Sequence, residues 1–234
     1  MSKYLKILQS FAGTTGGLVV VIVLALWKID ILNFFGNMPT LSLTTFGSWI
    51  SILVIAFAII WALMKNKILL SHGVLFYIYS SALSVFITSL FSNSPFSAFS
   101  LFNIVSLLAM LYALAVVVAE ILYSKPVFAK MDLKSLLPLL LFLIVYYLNI
   151  GFSSTLVIGL ILLGAVLLGS KIVALLVAAS YLIFPIFNGV DTIITLMDNN
   201  LPQQVNLIFT LLTYVAALVF IVLDLVRSLS KNEV

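Results

Sequence analysis

Apolar runs follow one another along this chain, separated by short polar stretches. Most are near the ~20 residues that an α-helix needs to cross a ~30 Å hydrocarbon layer. Their order predicts eight helical spans: 17–35, 44–64, 68–91, 96–123, a fifth that ends near Ile150, then 155–169, 171–187 and 205–226. A transmembrane β-barrel needs alternating segments of about ten residues, and that pattern is missing. The predicted fold is therefore all-α, a polytopic transmembrane helical bundle, with residues 1–234 forming a single integral membrane domain.

The stretch 155–187 is the one that admits two readings. A single helix of this length would reach ~50 Å, more than a bilayer holds without extreme tilt. Gly169-Ser170-Lys171 lies at its middle and brings a helix breaker and a charge. Two short helices joined by a tight turn are expected instead. The runner-up is a seven-span bundle in which this stretch stays unbroken. Upstream of the first run, residues 4–8 are expected to lie as a short amphipathic helix in the membrane interface. No small-x-small cleavage pattern follows that first run, so an uncleaved anchor is expected.

Charge adds sidedness to this picture. Ten of the eleven Lys and Arg residues fall where every second connection would lie, and Lys28 is the exception. Cations in short loops are retained on the cytoplasmic side. Eight spans then place both termini in the cytoplasm, whereas seven would put Arg227 and Lys231 outside. Trp49 and Trp61 are twelve residues apart in one run, about 18 Å along a helix, a fair match to two interfacial belts.

Composition removes several function classes. At 64% hydrophobic and 8% charged residues, too little polar surface exists to cover a water-soluble globule. The net charge of +4 is spread over short loops, so no basic face suited to nucleic acid arises. With no Cys and one His, thiolate chemistry, disulfides and Cys/His metal sites are excluded, and no cofactor is expected. Walker-type, Gly-x-Ser-x-Gly and His-Glu-x-x-His motifs are missing as well, so the chain does not read as an enzyme.

The polar residues that remain fall in three rows at helical spacing. One holds Gly73, Tyr77, Ser81, Ser84 and Thr88; a second holds Asn103, Ser106, Ala113 and Glu120; the third holds Gln203, Asn206, Thr210, Thr213, Ala217 and Asp224. As a solute path, these rows would line a shared cavity with Thr88, Asn103 and Asn206 toward the outside. As packing, small and hydroxyl residues let helices approach closely and exchange hydrogen bonds averaging about 0.6 kcal/mol. Glu120 either binds a cation or reaches headgroup water and touches Lys125. Asp224 and Arg227 are expected as an i, i+3 ion pair, Lys171 as a marker of the cytoplasmic side, and His72 as a residue without fellow ligands.

Two functions fit this inventory. The leading one is a permease- or channel-type membrane subunit, transporting an uncharged or amphiphilic substrate across the plasma membrane. It rests on the polar rows and the broken segment near Gly169. The alternative is a non-catalytic membrane interaction protein, an assembly, scaffold or immunity factor. Its surroundings are the lipid bilayer, and its contact surfaces for a membrane-protein partner are the loops 124–134 and 188–204. Neither involves nucleic acid.

Overall fold

The computed structural model describes residues 2–28, 42–65, 67–91, 95–124, 127–128, 130, 133–195 and 201–231. Among them every regular element is helical, and no strand forms. The helices are α1 (Ser2–Ala12), α2 (Thr15–Lys28), α3 (Leu43–Met64), α4 (Ile68–Ile78), α5 (Ala82–Leu90), α6 (Leu101–Tyr123), α7 (Leu133–Ile150), α8 (Phe152–Leu167), α9 (Lys171–Thr195) and α10 (Leu201–Lys231). A 3₁₀ turn, Pro95–Phe99, precedes α6.

Among the described residues, five segments are able to span a membrane by length and apolarity: 43–64, 68–90, 101–123, 171–195 and 204–230. A sixth arises if α1 and α2, bent by 80° at their junction, count as one. The apolar parts of α7 and α8, Leu136–Ile150 and Ile158–Leu167, are shorter. Among the described residues the protein is thus all-helical, with five to six spans' worth of helix fit to cross a bilayer.

Four details depart from the expected boundaries. The run 68–91 is two helices, α4 and α5, with turn residues 79–81 between them. The run 96–123 is not one helix. Pro95–Phe99 is a 3₁₀ turn, and Ser100 then starts α6 by accepting the backbone N–H of Asn103 at 3.3 Å. This is the side-chain capping that relieves an orphan N–H in a first turn. The expected outer loop 188–204 is helical as far as Thr195, so Asp191 sits in α9. Here Thr192 and Thr195 return their hydroxyls to the carbonyls of Asn188 and Thr192, so loss of apolar character does not stop the backbone ladder. The last helix also begins at Leu201 rather than 205. Asp198, with 196–200, lies outside the described residues, as do Lys125, Pro126, Ala129, Met131 and Asp132 of the loop 124–134 and residues 29–35 of the first run.

The split of 155–187 is built as expected. Gly169 has φ of 70°, a left-handed conformation that lacks a steric penalty only in glycine. The N–H of Gly169 bonds to the carbonyl of Val166 at 2.9 Å, and that of Ser170 to Ala165 at 2.8 Å. Together they form a Schellman end to α8, which satisfies carbonyls that the helix leaves unpaired.

Two compact units divide the chain, residues 1–35 with 59–127 and residues 36–58 with 128–234. In the first, α4 packs most extensively on α6, α1 also lies on α6, and α2 lies on α4. Its core is Val21, Ala25, Leu70, Val74, Leu75, Ala109, Ala113 and Val116. In the second, α9 is central, packing on α10, α8 and α7. Ala174, Ala178 and Ala179 keep its surface low, and Leu175 and Leu182 fill the space around it. Phe46 of α3 meets Phe187 of α9 edge-on at 5.6 Å.

Candidate functional site

Polar chemistry in this protein is concentrated where helices of one unit touch. In the second unit the Schellman turn delivers Lys171 to the start of α9, beside the last third of α10. Its Nζ lies 2.9 and 3.0 Å from the two carboxylate oxygens of Asp224. The side chains are 29% and 19% exposed, so the pair is neither a solvated surface bridge of negligible value nor a sealed one. Asp224 therefore pairs across helices with Lys171, not along its own helix with Arg227. Nothing in the sequence links positions 53 residues apart; the packing of α9 on α10 brings them together.

The first unit holds four polar contacts along α6. His72, fully buried in α4, has Nδ1 3.0 Å from the carbonyl oxygen of Ile68. That oxygen can only accept, so Nδ1 carries the proton and Nε2 is left as acceptor for the Tyr112 hydroxyl of α6 at 3.3 Å. The His72 and Tyr112 rings are 5.5 Å apart. This lone histidine is thus a helix-to-helix tie. Nearer the end of α6, Glu120 accepts from Gln9 Nε2 of α1 at 3.0 Å, and the same amide contacts the Ser124 hydroxyl. Lys6 places its ammonium 5.4 Å from the centre of the Tyr123 ring. At the opposite end, Lys28 lies 5.5 Å from the ring of Tyr79 and 5.7 Å from that of Phe102. The Tyr79 hydroxyl donates to the carbonyl of Leu24. The one cation that broke the charge pattern is therefore held between aromatic faces, a favourable setting for a partly desolvated ammonium.

Gln9, Tyr112 and the two rings around Lys28 were not among the expected site residues. Their partners are distant in sequence, and amide or aromatic residues carry no pattern of their own. Among the described residues, no three metal-ligating side chains come together.

The expected path residues are distributed as follows. Ser81, Ser84 and Thr88 are exposed, and Tyr77 is half-buried. The Thr88 hydroxyl bonds back to the carbonyls of Ser84 and Val85. Ser106 is buried with no hydrogen-bond partner for its hydroxyl, while Asn103 and Glu120 are half-buried. On α10, Asn206 and Thr213 are exposed and Thr210 is half-buried. Thr213 donates to the carbonyl of Thr210 at 2.7 Å.

At 100° per residue, α10 resolves into three strips. Leu211, Tyr214, Ala217 and Ile221 form the packed seam. Val205, Phe209, Leu212, Val219 and Leu223 form an outward apolar face. Asn206, Thr213 and Asp224 lie on the edge between them, and at Asp224 that edge meets Lys171. The row is therefore a seam border, with its carboxylate already occupied.

Comparison with protein-family models, with curated proteins and with solved structures finds no match to this chain.

Proposed function

We propose that this chain is a multi-pass integral membrane protein of the cell membrane, with eight crossings and both termini cytoplasmic, that acts by contact and not by catalysis. The eight crossings count α2, α3, the α4–α5 pair, α6, α7, α8, α9 and α10. The distribution of Lys and Arg supports this weave.

The observation that carries the contact reading is what has become of the polar groups a solute path would need. Glu120 and Asp224 are engaged by Gln9 and Lys171, and Thr88 and Thr213 give their hydroxyls to their own helices. Hydroxyls returned to the backbone are compatible with apolar surroundings. Val127 and Phe128, 83% and 63% exposed in the basic connection between α6 and α7, offer the partner a hydrophobic contact. Pulldown in mild detergent tests this directly. A stoichiometric membrane-protein partner should be recovered with the native chain and lost when Val127 and Phe128 are both replaced by Ser. Recovery of a lone monomer in both cases overturns the proposal.

A second reading, a permease- or channel-type subunit for an uncharged or amphiphilic solute, is favoured by Asn206. Its carboxamide is exposed on the edge of α10 and calls for water or a polar neighbour. On that reading, solute flux into liposomes containing the purified chain should fall on Asn206→Leu. Absence of flux in the native chain removes it.

A further inference from the structure

The first helix carries more apolar surface than the protein covers. On α1, Ala12 is buried and Leu5 and Leu8 are half-buried, on the side from which Gln9 reaches Glu120 of α6. A second strip, Tyr4, Ile7 and Phe11, follows i, i+3, i+7 spacing and stands 77%, 57% and 41% exposed. A third strip, Lys3, Lys6 and Ser10, is polar and exposed. The helix is therefore three-sided: one side on α6, one apolar and uncovered, one charged.

The corner that follows α1 is built to hold this attitude. α1 and α2 meet at 80°. Thr14 joins them, donating its hydroxyl to the Phe11 carbonyl at 2.6 Å and accepting the Gly17 N–H at 3.2 Å. A Cβ on Gly17 would lie 2.5 Å from the Phe11 carbonyl oxygen and 2.7 Å from the Ala12 backbone, so only glycine lets α2 turn this close to the end of α1.

We infer that α1 is a lipid-binding element, lying along the boundary between headgroups and acyl chains with Tyr4, Ile7 and Phe11 in the apolar layer and Lys3 and Lys6 at anionic phospholipid headgroups. This rests on the proposed weave, in which α2 crosses the bilayer: a helix bent by 80° from α2 then runs nearly parallel to the membrane surface. An apolar strip beside a cationic strip is what that boundary accommodates. The lysines give the strip a charge opposite to that of anionic lipid, and interfacial binding draws on both contributions.

The chain has no cysteine, so single cysteines report without a background. Full-length Tyr4→Cys, Phe11→Cys and Ser10→Cys variants, each labelled with an environment-sensitive fluorophore, are reconstituted in phosphatidylcholine vesicles containing phosphatidylglycerol. Nitroxide on lipid chains and aqueous iodide serve as the two quenchers. The expected result is strong nitroxide quenching at positions 4 and 11, with iodide quenching several-fold weaker there than at position 10. Equal access of iodide to all three positions overturns the inference, because the strip is then in water. Protection of positions 4 and 11 from both quenchers also overturns it, because protein covers them. Replacing Lys3 and Lys6 by Glu should raise iodide quenching at position 4, and an unchanged value removes the role assigned to anionic headgroups.

Discussion

Helices α9 and α10 pack on each other in the same unit and are both long and apolar enough to cross a membrane, yet they bury their surfaces in opposite ways. In the most apolar part of α9, 61% of residues are buried, against 22% in α10. α9 is small-sided, with Ala174, Ala178 and Ala179 enclosed by α7, α8 and α10. α10 commits one seam to packing and leaves the rest to its surroundings. A helix that neighbours cover on all sides is constrained by volume at nearly every position. One covered on a single seam is constrained only there, and lipid accepts whatever else is apolar. The Lys171–Asp224 pair joins the two at the point where the buried helix begins.

The sharpest way to break this contrast is to add volume. Ala178→Phe in α9, where the native side chain is fully buried, should cost about 3 kcal/mol or abolish folding. The same change at exposed Ala216 of α10 should stay within about 0.5 kcal/mol. Recovery of monodisperse protein from membranes and its unfolding in detergent check both.

The tie between the helices comes next. Asp224→Leu leaves Lys171 without its carboxylate and should destabilise by roughly 2 kcal/mol, between the values for exposed and buried pairs. The charge-swapped double variant, Lys171→Asp with Asp224→Lys, should recover most of that loss in a double-mutant cycle.

Gly169→Ala forces a side chain into left-handed backbone at the turn that delivers Lys171, at a cost of roughly 1 kcal/mol. The midpoint of denaturant unfolding should shift accordingly. Thr213→Leu should change stability least, within about 0.5 kcal/mol, since the native hydroxyl serves only its own helix. A large loss there would mean that the edge of α10 is part of a packed surface.

The helices themselves were legible because apolar runs of bilayer length leave few other structures available. The break at Gly169 was legible for the same reason, since a continuous helix would have been too long. The boundaries at 195 and 201 were not legible, because helical hydrogen bonding continues into polar sequence once a helix has started. The row 73–88 is interrupted by the turn at 79–81, and the orientation of a row depends on which seam each helix buries. On α10 that is decided by Leu211, Tyr214, Ala217 and Ile221 meeting their neighbours, and no local pattern distinguishes those residues from other apolar ones. Pairings such as Gln9 with Glu120 and Lys171 with Asp224 are tertiary, and single charges in sequence leave their partners open.

The most direct test of the contact account is labelling of a cysteine at position 213 by a membrane-impermeant maleimide in open membranes. The account predicts that Thr213→Cys resists the reagent while Arg227→Cys, at the exposed end of the same helix, reacts readily. Reaction at position 213 as fast as at 227 would place water along the edge of α10 and contradict it.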